Sequence, residues 1–307
     1  MKRPKILVTG SSGTIGTRLC ERLLESGYEV VGMDIKPNEW NPEINKLTKV
    51  ADMRDSDAFR GLPGDIGMVI HLAANAMVHP SVIDPTLAMD NMVTVFNALE
   101  YARTSGIKQF VFASSREVYG NSGKIKHKEE DAHIDMAESP YTATKLAGEA
   151  FVRAYGNCYD MDFVIIRFSN VYGMYDNSHR LIPSSIRRAS RGEDLIVYGK
   201  EKLLDFTYID DSVDGVMKAI EAIRTAGNET YNIAAGKAST IVEVVEMINE
   251  KLGGKSKVIV KESRTGEVIK YEADISKAKE RLGYDPKVGL DEGITRSIEW
   301  FRQQGLI

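Results

Sequence analysis

Thr9-Gly10-Ser11-Ser12-Gly13-Thr14-Ile15-Gly16 follows directly on the apolar run Ile6-Leu7-Val8 and opens a segment with helical spacing. Glycines at such a strand-to-helix turn let the backbone bend tightly and approach a diphosphate. The helix start adds unpaired N–H groups and the positive end of its dipole. The spacing is G-x-x-G-x-x-G rather than G-x-G-x-x-G, and three glycines in a βα turn can also be purely structural. Asp34 adds weight to the ligand reading. It ends the run Val30-Val31-Gly32-Met33-Asp34, where a carboxylate can accept hydrogen bonds from an adenosine ribose and would repel a 2′-phosphate. That points to NAD rather than NADP, although Lys36 lies nearby.

Ser114 and Ser115 follow the run Phe110-Val111-Phe112, at the carboxyl end of a strand, the side on which open α/β sheets bind ligands. Further on, Ser139-Pro140-Tyr141-Thr142-Ala143-Thr144-Lys145 places Tyr141 and Lys145 one turn apart on a helix face. A phenol with an ordinary pKa of about 10 is a poor base at neutral pH. A cation one turn away, together with the positive nicotinamide of an oxidised cofactor, stabilises the phenolate. Tyr141 could then take a proton from a sugar hydroxyl, with Ser115 hydrogen-bonding the same oxygen and Lys145 also holding the nicotinamide ribose. Tyr/Lys pairs at this spacing are common on helices, so the reading rests on their combination with the glycine turn, Asp34 and the serines.

The elements that must position these residues are legible as an alternation. Val- and Ile-rich runs at 6–8, 30–33, 68–70, 110–112, 163–166 and 206–209 are interleaved with helical segments near 14–26, 140–156 and 211–224. That pattern predicts an α/β fold, a doubly wound parallel sheet of Rossmann type. Helices near 180–191, 239–252 and 289–303, with strands at 195–198 and 257–261, predict a smaller α/β lobe, and Gly173 and Gly236 mark crossings between the two. The expected division is 1–169 plus about 205–235 for cofactor binding, and about 170–204 plus 236–307 for substrate.

The chain has 307 residues, 43% hydrophobic and 27% charged, with a formal net charge of −4 and no long block of either sign. Those proportions exclude disorder and give no nucleic-acid footprint. Cys20 and Cys158 are too few for a disulfide framework, and no Cys/His cluster has zinc-ligand spacing, so no metal is expected. The apolar run after Met1-Lys2-Arg3-Pro4 is too short for a signal peptide, and no run approaches the roughly 20 residues of a membrane span. A reduced, cytoplasmic location and no membrane partner are the expectation.

Further motifs continue along the chain: Asp52-Met53-Arg54-Asp55, His71-Leu72-Ala73-Ala74, Asn91, Val118-Tyr119-Gly120, Arg167 to Gly173, Asp205 to Asp211, and Gly266-Glu267. With the glycine turn and the Tyr141/Lys145 pair, the chain resembles the extended branch of the short-chain dehydrogenase/reductase superfamily, the nucleotide-sugar epimerases and dehydratases. The resemblance implies a catalytic set of Ser115, Tyr141 and Lys145. It implies that NAD is bound by Gly10, Gly13, Thr14, Ile15, Gly16, Asp34, Asp52, Met53, Leu72, Ala73, Ala74, Asn91, Ser114, Tyr141, Lys145 and Ser169. Asn170 and Arg264 would hold the substrate diphosphate beside Ser115, Arg264 through charge-assisted hydrogen bonds.

Two departures stand out. Leu204 occupies the position where members commonly carry a diphosphate-binding arginine, leaving Lys200, Lys202, Arg187 or Arg188 to replace it. Ser115-Arg116-Glu117 stands where dehydratases read Thr-Asp-Glu, and Arg116, always charged, cannot supply the proton that expels water. The resemblance therefore implies an NAD-dependent sugar-nucleotide 4-epimerase acting through a transient 4-keto intermediate. Its substrate would be a UDP-sugar, of UDP-glucose/UDP-galactose or UDP-hexuronic acid type. A UDP-glucuronate decarboxylase or another 4-keto-forming enzyme, using Glu117, is the alternative, and an NAD-binding regulator on the same fold is the non-enzymatic one. A homodimer through the helices near 86–104 and 141–156 is implied by the resemblance.

Overall fold

Runs that are apolar on both faces need helices on both sides, and the helices between them each bring one apolar stripe. The structure, a computed structural model, describes residues 3–307; Met1 and Lys2, which begin the segment weighed as a signal peptide, lie outside the described residues. In chain order the elements are β1 (Lys5–Thr9), α1 (Thr14–Glu25), β2 (Val30–Asp34), α2 (Pro42–Leu47), β3 (Thr48–Val50), β4 (Ile66–His71), α3 (Val78–Ile83), α4 (Thr86–Thr104), β5 (Gln109–Ser115), β6 (Lys126–His127), α5 (Pro140–Tyr159), β7 (Asp162–Phe168) and β8 (Asn170–Tyr172). They continue with α6 (Leu181–Ser190), β9 (Leu195–Tyr198), β10 (Leu203–Tyr208), α7 (Ile209–Ala226), β11 (Glu229–Ile233), β12 (Ala238–Thr240), α8 (Ile241–Lys251), β13 (Val258–Lys261), β14 (Lys270–Ala273), α9 (Ser276–Leu282) and α10 (Leu290–Gln303).

Seven strands form one parallel sheet in the order β11-β7-β5-β4-β1-β2-β3. The order reverses between β1 and β4, so a crevice opens at their carboxyl ends. Alternate residues serve opposite faces. Leu7, Val69, Phe110 and Ile165 pack with Val95 and Leu99 of α4 and Val152 of α5. Ile6, Val8, Ile70 and Val111 pack on the other side with Leu19 and Leu23 of α1 and Val213 and Val216 of α7. The expected run at 206–209 ends as a strand at Tyr208, because β10 extends back to Leu203 and Ile209 already belongs to α7.

A smaller sheet, β12-β10-β14-β6 with β8 also paired to β10, and the pair β13-β9 stand beyond this layer. Helices α6, α8 and α10 bury Ile182, Ile186, Val244, Ile248, Ile294 and Phe301 against them. The short elements β6, β8, β12, β14 and α9 escaped the pattern reading because two to seven residues show no usable period. Gly173 and Gly236, expected at crossings, both adopt positive φ, of 140° and 74°.

The crossing at Gly236 is tied down by Asp205 of β10, which has no exposure to solvent. Its carboxylate accepts from the backbone N–H of Ala235 (3.1 Å), Gly236 (2.9 Å) and Ala273 (3.4 Å). Burial pushes its pKa up to about 6 while these amides pull it down. Asp205→Asn turns one acceptor oxygen into a donor facing N–H groups. It should cost about 2–4 kcal/mol of stability, read by urea unfolding.

Candidate active site

The carboxyl ends of β4, β5 and β7 and the smaller lobe enclose a cavity of about 550 Å³, with Ser115, Tyr141, Lys145, Asn170 and Arg264 in its wall. β5 delivers the serines. Its last residue, Ser115, turns the chain by accepting the N–H of Glu117 on its hydroxyl (3.2 Å). α5 starts where Ser139 accepts the N–H of Thr142 (3.1 Å), with Pro140 in the first turn, which needs no N–H partner there. That start sets Tyr141 in the first turn and Lys145 one turn later, both buried.

Lys145 Nζ donates to the carbonyl of Ala113 (2.8 Å), fastening α5 to β5 one residue before the serine pair. Burial pushes its ammonium down to about 8, against the pull of Glu149. The Tyr141 phenol is pushed above its ordinary value by burial, and is drawn back by a hydrogen bond with Ser115 and by the guanidinium groups of Arg180 and Arg116. The Lys145 ammonium, bonded to Ala113, lies 5.7 Å from the centre of the Tyr141 ring.

The glycine turn is packed backbone against backbone. Gly10 has a φ of 74°, and a Cβ there would sit 2.8 Å from the Ala73 nitrogen; a Cβ on Gly16 would run into the Gly10 carbonyl. Gly13 caps α1 with no side-chain hydrogen bond. The first amides of the helix, around Thr14, Ile15 and Gly16, are thereby left for a diphosphate. Asp34 holds the turn through the N–H groups of Ser12 (2.9 Å) and Lys36 (3.1 Å). These residues fit a dinucleotide. Ile15, Leu72, Ala74, Ser114 and Ser169 carry the groove into the cavity wall.

Other expected residues do more local work. Asp52 pairs with Arg54 (2.6 Å). The Met53 side chain is buried in the core with Phe59 and Val95, which leaves only its backbone to meet a ligand. Asn91 is turned to the backbone of Asn75, accepting its N–H at 2.7 Å and donating to its carbonyl at 3.2 Å, so it braces the loop after β4. Ser169 donates to the Asp205 carbonyl, as does Asn170 Nδ2 at 2.9 Å.

Also in the cavity wall, the Arg264 guanidinium lies 3.9 Å from the centre of the Tyr198 ring. Leu204 is buried in the wall. Of the four cations weighed as replacements for an arginine there, Arg188 and Lys202 line the cavity, with Lys202 paired to Glu267. Arg187 instead holds Asn177 (2.5 Å) and the Ser178 carbonyl.

Glu117 is buried beside Tyr141, paired to Arg116 at 2.7 Å, and burial pushes its pKa up. Three residues of the cavity wall each carry a buried polar atom with no hydrogen-bond partner among the described residues: Arg116 Nη1, His79 Nδ1 and Asp176 Oδ2. Such groups are ordinarily paired. Sequence reasoning missed Arg180, His79 and Asp176, for which no local signal exists. It also passed over Glu149, at the same four-residue spacing from Lys145 that drew attention to Tyr141.

Residues 6–234 match the model of the NAD dependent epimerase/dehydratase family. A putative UDP-glucose 4-epimerase of Methanocaldococcus jannaschii is 33% identical, over 97% of this chain and 98% of its own. Among solved structures, UDP-glucose 4-epimerase of Thermotoga maritima with UDP-glucose has a TM-score of 0.89 at 30% identity, covering 98% of this chain and 99% of that one. UDP-glucuronic acid 4-epimerase of Bacillus cereus, in complex with UDP-glucuronic acid and NAD, has a TM-score of 0.88 at 30% identity with the same coverage. Gly16→Ala should weaken NAD binding by at least roughly tenfold, about 1.4 kcal/mol, measured by calorimetry.

Proposed function

The chain belongs to the NAD dependent epimerase/dehydratase family, and from that premise we propose that it inverts C4 of a UDP-linked sugar, holding its NAD throughout. The observation that carries the reading is the convergence of Ser115, Tyr141 and Lys145 in the wall of one cavity that Asn170 and Arg264 also line. NAD, when bound, supplies the acceptor for the C4 hydride and the source from which it returns to the opposite face.

The protein's own groups do the rest. Tyr141 takes the proton of the 4-hydroxyl, and Ser115 hydrogen-bonds the oxygen as it becomes a ketone. Lys145 orients the cofactor ribose, and Asn170 and Arg264 anchor the diphosphate while the sugar turns over. Arg116, His79 and Asp176, polar residues of the cavity wall, suit a ligand rich in hydroxyl or carboxyl oxygens. We assign cofactor binding to 1–169 with about 205–235 and substrate binding to the remainder. The glycine turn in the first part and Arg264 in the second support that assignment.

The decarboxylase alternative draws on Glu117, whose buried carboxyl takes up a proton more readily than usual. Proton NMR of the protein with UDP-glucose, UDP-galactose and UDP-glucuronate separates the readings. C4-epimer signals with the C6 substituent intact are expected; pentose signals would move the assignment to decarboxylation. No change with any sugar, before or after added NAD, would favour the regulator. Tyr141→Phe should lower turnover by about 10²–10⁴-fold with NAD binding kept.

A homodimer through α4 and α5 belongs to the same reading. It is supported by Met89 and Phe96, seven residues apart on α4 and exposed at 62% and 44%, with the Phe96 ring edge-on to Phe151 of α5. Phe96→Glu should convert a dimer to a monomer in light scattering.

A further inference from the structure

Lys145 is an ammonium with 5% exposure, and the Ala113 carbonyl that receives it is a dipole, not a counter-charge. Four elements surround it. β5 presents that carbonyl and the Phe112 ring, 5.2 Å from Nζ. β4 presents His71, which burial and then Lys145 push down to about 3, so that it stays neutral; its Nδ1 lies 2.9 Å from Thr9 Oγ1. β7 brings the guanidinium of Arg167. On α5 itself stand Tyr141, one turn before, and Glu149, one turn after.

Among these groups Glu149 is the one carboxylate. It is buried and triply held: Ser114 Oγ donates to Oε1 (2.6 Å), Arg167 Nε to Oε1 (2.9 Å) and Arg167 Nη2 to Oε2 (2.7 Å). Arg167 is anchored in turn on the Tyr119 hydroxyl (3.1 Å) and the Glu129 carbonyl (2.6 Å). Glu149 and Arg167 stand behind the cavity wall, in which Ser114 and Lys145 appear.

We propose that Glu149 is a positioning residue for catalysis: its carboxylate, fixed by Arg167 and Ser114, is the counter-charge that keeps Lys145 a cation where the cofactor ribose is to be held. The inference rests on Lys145 belonging to the catalytic set proposed above. Burial acts to deprotonate Lys145, and Glu149 is the influence opposing it. Glu149→Gln keeps the shape, removes the negative charge and leaves the Arg167 charge uncompensated. Both changes make the ammonium easier to deprotonate, so Lys145 loses its proton at lower pH.

The test follows the carbon-13 shift of Lys145 Cε against pH in lysine-labelled full-length protein with NAD, the signal being assigned with Lys145→Arg. Epimerisation is measured over the same pH range. Glu149→Gln should lower the Lys145 midpoint by about one pH unit and move the alkaline limb of the rate profile with it. Activity on the acid side should be largely kept. Glu149→Asp, which retains the charge but draws it back, should give a midpoint between the two and carries the test if the glutamine variant does not fold. An unchanged midpoint in either variant, or a loss of rate that is uniform with pH, overturns the role of Glu149. The resonance reports on Lys145 with or without turnover. A shifted midpoint in a protein that epimerises no UDP-sugar would therefore overturn the proposed function and leave Glu149 as the counter-charge.

Discussion

A positive charge enclosed by protein must be matched by dipoles and opposite charge, and much of this active site follows from meeting that demand for Lys145. Its bond to the Ala113 carbonyl sets α5 against β5 at one register. Ser115 at the end of the strand and Tyr141 at the start of the helix then address the same point. The demand propagates outward, since Glu149 needs Arg167 and Arg167 needs the Tyr119 hydroxyl. Tyr119 donates to Asn232 Oδ1 (2.5 Å), and Asn232 Nδ2 donates to the carbonyls of His127 and Asp274 beside β6 and β14. One polar chain thus runs from the reacting centre to the smaller sheet, and its members are largely paired, which low-dielectric surroundings require.

The second lobe is positioned with equal economy. Asp205 gathers backbone amides from the Gly236 crossing and from β14, while its own carbonyl receives Ser169 and Asn170. The segment leaving β7 and the strand β10 are therefore fastened to each other where the cavity passes from one lobe to the other. Beyond that point the cavity wall changes character, because β10 offers Leu204 instead of a cation. Positive charge comes from flanking elements: Arg264 laid on the Tyr198 ring, and Arg188 on α6.

The sheet was legible because its signals are local and repeated. Ile6 to Val8 or Phe110 to Phe112 can be read as buried strands from type and length, and the intervening helices from their apolar spacing. Tyr141, Lys145 and Ser115 were legible because helix spacing and strand ends are short-range geometry. What eluded sequence reasoning was direction. That the Lys145 ammonium reaches the carbonyl of Ala113, 32 residues away, is one such case. The closing of Asn91 on the backbone of Asn75 and the burial of the Met53 side chain beside Phe59 are others. Each of these depends on which of several reachable partners a folded environment leaves nearest, and no window of sequence contains that information.

The glycine turn at the start of the chain carries a consequence for time as well as for space. Its contour is enforced by backbone against backbone, Gly16 against the Gly10 carbonyl and Gly10 against Ala73, and by the amides that Asp34 gathers. The ordering of that loop is completed when the chain folds, so a dinucleotide entering it freezes little further freedom. Preorganisation of this sort lengthens residence more than it speeds arrival. Long residence would suit the proposed reaction, which returns its hydride and leaves no reduced dinucleotide to be exchanged.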